Sequence, residues 1–286
     1  MAASGYHPHV HTRRPRPSAA IAALLAGLLI AAAVPGVGAA PRTPAEEIST
    51  PSPAALATLR AGLLRAVSAD RHDAGLRPLR EDGVLDAVAQ ARAERLAAAS
   101  EFSHAAAGPE ILSDVQATGV EPYGAGEVLG WSAVPGTSGA LDAIRLMWLA
   151  SLPHRAILLT AADNYIGVGV ATRGSRTFAT IVVAETRDRT RPAVRLDAPS
   201  RDGTSVTFTW TAMDPVLQTH TAGVRSVTVQ LRVDEGPWRV VRAACTGSSI
   251  VLHDRAPGHA YSLRVRARDR AGNLSPWTAP RTALVP

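Results

Sequence analysis

The stretch Gly126-Glu127-Val128-Leu129-Gly130-Trp131 places one carboxylate inside an apolar run, with a glycine on either side of it. Two histidines lie in similar surroundings. His104 follows Phe102-Ser103 upstream, and His154 follows Leu152-Pro153 downstream. Because the three residues are far apart in the sequence and each has apolar neighbours, we expect the fold to bring them together. A local motif would place them closer in sequence.

Residues 54–186 show helical periodicity first and strand periodicity last. Apolar residues recur at 56, 59, 63, 64 and 67, which is the spacing of an amphipathic helix. Asp82 is placed to cap a second helix, and Pro153 stands in the first turn of a later one. The apolar runs 165–171 and 178–183 predict a β-hairpin. Helices followed by a hairpin predict an α+β sandwich.

From residue 192 onward the pattern changes to short strands. Residues 206–210, 227–233 and 261–268 alternate between apolar and polar side chains, and Gly- or Pro-containing turns separate them. About 95 residues of this kind predict a β-sandwich over residues 192–286. The polar segment 187–191 between the two domains is predicted to be a hinge.

The N-terminus has the pattern of an export signal. Three arginines precede an apolar run at 19–34, and Val37-Gly38-Ala39 offers small residues for cleavage after Ala39. The run is shorter than the ~20 residues of a membrane span, so a signal peptide over 1–39 is favoured over an uncleaved anchor. Residues 40–53 are rich in proline and read as an extended spacer.

Charge is spread unevenly along the chain. Residues 40–186 hold twelve Arg against sixteen acidic residues, whereas residues 187–286 hold fifteen Arg against eight. The acidic excess of the first domain argues against a nucleic-acid partner. Cys245 is the one cysteine, so the chain has no internal disulfide and must be stabilised by its cores.

Five sequence features occur in a fixed order within residues 54–186. They are Gly75-Leu76-Arg77-Pro78-Leu79, Phe102-Ser103-His104, Gly126-Glu127, Ser151-Leu152-Pro153-His154-Arg155 and Ile166-Gly167-Val168-Gly169-Val170. In this order they resemble the CAP superfamily, the SCP/PR-1-like secreted proteins, in its bacterial form. The resemblance implies an α-β-α sandwich with a large cleft. In some members a His-Glu-Glu-His tetrad in the cleft binds zinc or other divalent ions.

Three members of that tetrad have counterparts in this chain. The resemblance places His104, Glu127 and His154 as ligands of zinc or another divalent cation. Ser151 stands where the second Glu is expected, so this chain departs from the family pattern there. Trp131, Trp148 and Ser151 are expected to line the ligand cleft.

The chemistry of His104, Glu127 and His154 is compatible with three interpretations: a metal site, a hydrolase and a structural cluster. Two imidazoles and a carboxylate with a bound water form an open zinc site, and zinc acidifies such a water into a nucleophile. In a hydrolase of this kind Glu127 would be the catalytic base, although the sequence lacks the His-Glu-x-x-His helix of metalloproteases. Alternatively, Glu127 accepts hydrogen bonds from both rings in a purely structural cluster. Binding or structure is favoured over catalysis.

Residues 192–286 resemble a second known family. The stretch 256–267, followed by Asp269-Arg270-Ala271-Gly272-Asn273-Leu274-Ser275-Pro276-Trp277, is similar to a fibronectin type III domain, an Ig-like sandwich. Trp210 and Tyr261 fall where that family has its core Trp and its corner Tyr. We expect such a module to serve attachment or protein contact.

Four arginines alternate near the end of this domain, at Arg264, Arg266, Arg268 and Arg270. Alternation would place them on one face of a strand, as an electropositive strip for an anionic cell-wall polymer or phospholipid headgroups. The alternative is the solvated outer face of a sandwich.

The sequence as a whole predicts a secreted bacterial protein. Its cleft is expected to bind a divalent metal ion or a small apolar ligand, and its second domain a cell-wall polymer, a lipid or a protein. A zinc-dependent extracellular hydrolase of peptide or cell-wall bonds is one alternative, and a structural wall protein without a dedicated ligand is another. Membrane contact is expected only through an uncleaved signal segment.

Overall fold

The computed structural model describes residues 51–286. The signal peptide predicted at 1–39 lies outside the described residues, as does nearly all of the spacer predicted at 40–53. Among the helices that are described, none has both the length and the apolar character that crossing a bilayer requires.

The first domain contains a four-stranded sheet covered by helices. The helices are α1 (Pro53–Asp73), α2 (Gly83–Ala98), α3 (His104–Ala107), α4 (Ile111–Gln116), α5 (Thr137–Ala150) and α6 (Leu152–Leu158). The strands are β1 (Arg80–Glu81), β2 (Pro122–Ser132), β3 (Tyr165–Arg173) and β4 (Arg176–Thr186). The strand order is β1-β3-β4-β2, with β1 parallel to β3 and the other pairs antiparallel.

Alternate residues of the strands face two different helical layers. One face, including Val168 and Ile181, packs against α1, α5 and α6. The opposite face, including Tyr165 and Val182, packs against α2 and α4. Side chains of a strand alternate between the two faces of its sheet. Both faces of this sheet are apolar because each one is covered by helices. The predicted α-β-α sandwich is confirmed.

Local signals set where the first two helices begin. The Ser52 hydroxyl accepts a hydrogen bond from Ala55 N, and Pro53 is the first residue of α1. Asp82 caps α2 as its sequence position predicts, because its carboxylate accepts hydrogen bonds from the main chain of Val84 and Leu85.

Helix α2 lies unusually close to strand β3. A Cβ atom added to Gly167 would lie 2.1 Å from the carbonyl carbon of Leu85, and one added to Gly169 would lie 2.2 Å from that of Ala89. The backbones of helix and strand are therefore in direct contact. Only glycine leaves room for that contact.

The same helix also satisfies the open edge of β3. Strand β1 pairs with only two residues of β3, Tyr165 and Ile166. Beyond them, Val168 N donates to the Asp86 carboxylate at 3.0 Å, and the Gln90 side-chain amide bonds both the N–H and the C=O of Val170. Side chains of α2 thus replace a neighbouring strand.

The second domain is a sandwich of two antiparallel sheets. Its strands are β5 (Ala193–Leu196), β6 (Ser200–Asp202), β7 (Ser205–Met213), β8 (Val224–Val233), β9 (Arg239–Cys245), β10 (Ser249–Leu252), β11 (Ala260–Asp269) and β12 (Arg281–Leu284). One sheet has the order β10-β7-β5, with β6 paired to β7, and the other has the order β12-β11-β8-β9. Trp210 and Tyr261 are buried between the sheets, as the sequence predicts. The predicted all-β second domain is confirmed.

The segment predicted as a hinge is packed between the two domains. Asp188 and Thr190 are buried. The Tyr165 hydroxyl is hydrogen-bonded to both of their side chains and also accepts a bond from Arg189 N at 2.6 Å. From the second domain, Ala222 N donates to the Asp188 carboxylate and the Asn273 amide donates to its carbonyl. Residues 187–191 are a hydrogen-bonded junction and not a free spacer.

The loop between β7 and β8, residues 214–223, completes this junction. Leu217 is buried in the same apolar cluster as Leu85 of α2 and Tyr165 of β3. Gln218 accepts a hydrogen bond from Arg77 N at 2.7 Å, and the Thr219 hydroxyl donates to Ala162 O at 2.7 Å. The two domains therefore share a small core as well as polar contacts.

The contact between α2 and β3 generates the first prediction. Gly169→Ala should lower the free energy of unfolding by about 1–3 kcal/mol, because the added methyl group overlaps the backbone at Ala89. The matched control is Gly83→Ala, where an added Cβ meets nothing within 4 Å. Urea unfolding of both variants measures the difference. Equal midpoints would show that the helix can move away from the strand at no cost in stability.

Candidate ligand-binding cleft

A cleft of about 550 Å³ lies along the edge of the first domain's sheet. Strand β2 is the outermost strand there. Gly126 lets the cleft wall close, because an added Cβ would lie 2.8 Å from the Ile157 side chain of α6. Most of the cleft surface is apolar. The apolar lining residues are Ala105, Gly108, Pro109, Ile111, Ala125, Gly126 and Ile157, and the polar ones are Arg92, His104, Glu110 and Glu127.

The floor of the cleft is a buried ion pair between Arg92 and Glu127. Their exposed fractions are 1% and 4%. Arg92 Nε donates to Glu127 Oε1, and Nη2 donates to Oε2 at 3.0 Å, so the guanidinium grips both carboxylate oxygens. This bidentate geometry is the strong form of the Arg–carboxylate pair.

The remaining guanidinium nitrogen of Arg92 is also engaged. Nη1 donates to Asp114 Oδ2 at 2.8 Å and to Pro109 O at 2.9 Å. Burial alone would lower the pKa of Arg92, but its hydrogen bonds to Glu127 and Asp114 outweigh burial and raise that pKa. Arg92 therefore stays charged, and it is the hydrogen-bonded partner that the buried Glu127 carboxylate requires.

The two predicted histidines lie near each other on different elements, and of the two His104 lines the described cleft. His104 is the first residue of α3, whose N-cap is the Ser103 hydroxyl. Its Nδ1 lies 2.6 Å from Glu127 Oε2, and its side chain is 60% exposed. His154 stands in the first turn of α6, and the two ring centroids are 6.5 Å apart. The predicted convergence of His104, Glu127 and His154 in one region is therefore observed.

His154 is in a more buried environment than His104. Burial, together with the charge of His104, lowers the pKa of His154. Its Nδ1 is buried and has no hydrogen-bond partner within the described chain. Because this pKa lies below its ordinary value, the ring is neutral at pH 7.

These residues do not fit the three-ligand metal centre that the sequence predicts. Both oxygens of Glu127 are taken by Arg92, and one of them also contacts His104. In residues 51–286, one group of acidic, histidine or cysteine side chains has ligand atoms all within 4.8 Å of one another, and it consists of Asp188, Asp214 and Asp269. The predicted set is not among such groups, so no chemical step is derived through a metal.

The three aspartates belong to the junction between the domains. Each carboxylate accepts a main-chain N–H, from Thr190, Gly223 and Asn273 in turn. Burial, and then the charges of the other two carboxylates, raise the pKa of Asp214. These contacts account for the cluster as part of the hydrogen bonding that holds the junction.

The other predicted cleft residues lie elsewhere. Trp148 is buried in the core and donates its indole N–H to Leu129 O at 2.7 Å. Trp131 lies at the far end of β2, with the Arg176 guanidinium 5.2 Å from its ring centroid. Ser151 joins α5 to α6. None of the three is among the residues that line the described cleft.

Sequence reasoning missed Arg92, although the sequence contained a signal. Arg92 falls on the same helical face as Leu85, Val88, Ala89 and Leu96. A charged residue on the apolar face of a helix indicates a buried charge that needs a partner. That partner is Glu127, a carboxylate in an equally apolar strand.

The four predicted surface arginines divide into two groups. Arg264, Arg266 and Arg268 alternate outward along β11. Arg270 is not part of this row, because the pairing register shifts between Arg268 and Asp269. Its Nη1 instead donates to Ala222 O at 3.2 Å, in the loop at the junction.

Comparison with known proteins identifies the first domain. Residues 64–185 match the family model named CAP, the cysteine-rich secretory protein family. This part of the chain is a CAP domain, as its sequence features predict. The domain that follows is all-β, consistent with a fibronectin type III-like module. No curated protein matches the chain.

Three solved structures illustrate the similarity. A cysteine-rich secretory protein from Staphylococcus aureus is 18% identical, over 46% of this chain and 39% of its own, with a TM-score of 0.38. An extracellular protein containing an SCP domain from Bacillus anthracis is 23% identical, over 48% and 45%, with a TM-score of 0.39. An Fn3-like protein from Clostridium thermocellum is 21% identical, over 32% and 90%, with a TM-score of 0.24. The chain spans less than half of the first two proteins.

The floor of the cleft generates the second prediction. Arg92→Met should lower the free energy of unfolding by about 3–5 kcal/mol, because it leaves the Glu127 charge buried without its partner. The double variant Arg92→Met/Glu127→Gln should recover much of that stability. Urea unfolding measures both.

The matched control for this pair is Arg95→Met. Arg95 is on the same helix and near the same Asp114, at 3.4 Å, but it is 45% exposed. An exposed pair of this kind contributes at most about 1 kcal/mol. A cost for Arg92→Met no larger than that for Arg95→Met would contradict the ion pair described above.

Proposed function

We propose that this is an exported protein whose CAP domain binds a small, mainly apolar ligand in the cleft beside β2. The observation that carries the proposal is that most of the cleft surface is apolar, while the two buried charges at its base form an ion pair with each other. Ile111 and Ile157 contribute to the walls, whereas the charges of Arg92 and Glu127 are paired beneath them.

The size and lining of the cleft support a ligand of this class. Its volume of about 550 Å³ falls within the range of about 300–1,000 Å³ for small-molecule sites. Such sites combine apolar walls with a few polar groups that fix orientation. A chain-like molecule with one polar end, such as a fatty acid, matches that combination.

His104 is the residue that would fix the polar end. Its Nδ1 is engaged with Glu127, and its side chain is more than half exposed at the cleft. The other ring nitrogen, Nε2, is then the group that would hydrogen-bond the polar end of the ligand. Pairing with Glu127 holds the ring in position for that contact.

The geometry favours binding over hydrolysis. A general base must be able to reach and accept a proton from the attacking group. Glu127, the base of the hydrolase alternative, already accepts hydrogen bonds from Arg92 at both of its oxygens. Export is supported by the signal pattern in residues 1–39, which lie outside the described residues.

The test uses cis-parinaric acid, a fluorescent fatty acid, titrated into the full chain. We expect saturable binding by the wild type. Ala105→Trp, which places an indole in the cleft, should weaken that binding about tenfold, equivalent to about 1.4 kcal/mol. The control is Leu146→Trp, because Leu146 lies on α5 and is 63% exposed away from the cleft lining.

The possible results separate the proposal from its rival. Weaker binding by Ala105→Trp with wild-type affinity in Leu146→Trp supports a ligand site in the cleft. Absence of saturable binding in the wild type, or equal affinity in both variants, contradicts it and favours a structural domain without a dedicated ligand.

A further inference from the structure

One face of the second domain carries a row of arginines. The outward residues of β11 include Arg264, Arg266 and Arg268, which are successive outward positions on one strand. Successive outward positions of a strand are about 7 Å apart. The three arginines are therefore regularly spaced along the strand backbone, and they form a row of positive charge on this face.

The neighbouring strand adds no countercharge to this line. Arg266 pairs across the sheet with Thr228 of β8, and Arg268 pairs with Ser226. In the described domain, the one carboxylate in β8, β9, β11 or β12 is Asp269, which is buried and bonded to Asn273. Arg264, Arg266 and Arg268 therefore have no carboxylate partner on these strands. Arg232 of β8 does have one, because its Nη1 lies 3.4 Å from Glu235 in the turn that follows.

Two tryptophans hold the arginines in place. The Arg264 guanidinium carbon lies 4.4 Å from the Trp238 ring centroid and 4.8 Å from that of Trp277, so the side chain is stacked between two rings. Arg266 lies 4.7 Å from Trp277, and Arg232 of β8 lies 5.1 Å from Trp238. Stacking of this kind restricts guanidinium motion. Arg264 Nε donates to Gln230 Oε1 at 2.9 Å and Arg266 Nε is buried, so a ligand would be bound through the terminal Nη groups.

We propose that this face binds a linear phosphodiester polymer through Arg264, Arg266 and Arg268. A guanidinium presents paired donors that match a phosphate group. A straight row of such groups is complementary to a chain that carries one negative charge per repeat. Preordering by the tryptophans lowers the entropic cost of binding.

The same tryptophans argue against two other polyanions. Single-stranded nucleic acids are bound by stacking their bases on open aromatic rings, and amphipathic surfaces enter membranes by inserting aromatic side chains. Here the arginines lie against the rings of Trp238 and Trp277, which are half-buried. The observations favour contact with charge alone, and this inference does not depend on the cleft of the first domain.

The experiment measures binding of poly(glycerol phosphate) to the full chain by calorimetry over a range of salt concentrations. Arg266→Gln/Arg268→Gln should weaken binding about tenfold or more, and it should lower the log–log salt slope by about one for each phosphate that the variant no longer binds. Arg268→Gln alone, at an exposed position outside the stacked set, should weaken binding in the same direction. The single variant keeps the test valid if the double variant unfolds.

The matched control removes the same charge elsewhere. Arg201→Gln/Arg255→Gln alters arginines on β6 and in the loop after β10, and it should leave affinity within about twofold of the wild type, a difference of well under 1 kcal/mol. Equal weakening by the two double variants would overturn the proposal, because it would show a response to net charge only. Tighter binding to phosphatidylglycerol vesicles or to single-stranded DNA than to the polymer would overturn it as well.

Discussion

The ion pair between Arg92 and Glu127 determines what the cleft of the CAP domain can do. Both side chains are almost completely buried, so each charge depends on the other for its stabilisation. Pairing occupies both oxygens of Glu127. The proposed binding of an apolar ligand rests on this pairing, because it leaves the apolar walls above the carboxylate as the surface that a ligand would contact.

The position of Arg92 depends in turn on how α2 meets the sheet. Gly167 and Gly169 allow backbone contact between helix and strand, and Asp86 and Gln90 bond the open edge of β3. These contacts fix the height and rotation of α2 over the sheet. Arg92, which lies on the same helix, is thereby directed at Glu127 on β2. Gly167 and Gly169 on β3 therefore help to position the ion pair between Arg92 of α2 and Glu127 of β2.

Periodicity predicted the layers of both domains, because the burial of alternate or every third to fourth residue is a local property of the sequence. Capping chemistry placed Asp82 at a helix start, and the resemblance to fibronectin type III domains implied that Trp210 lies in a core. Periodicity did not predict which charges pair across long separations. Arg92 and Glu127 are 35 residues apart, and Asp188, predicted to lie in a hinge, is buried by a loop from the second domain. The register shift that removes Arg270 from the arginine row is likewise set by pairing with β8 and has no local signature.

Arg92 is hydrogen-bonded to both oxygens of Glu127, the residue that was predicted to be a metal ligand. The most direct test is a calorimetric titration of zinc into the full chain, beside the variant His104→Ala/His154→Ala. We expect the same isotherm for both proteins, because both oxygens of Glu127 are already bonded to Arg92. Saturable one-to-one binding by the wild type that is abolished in the variant would contradict it.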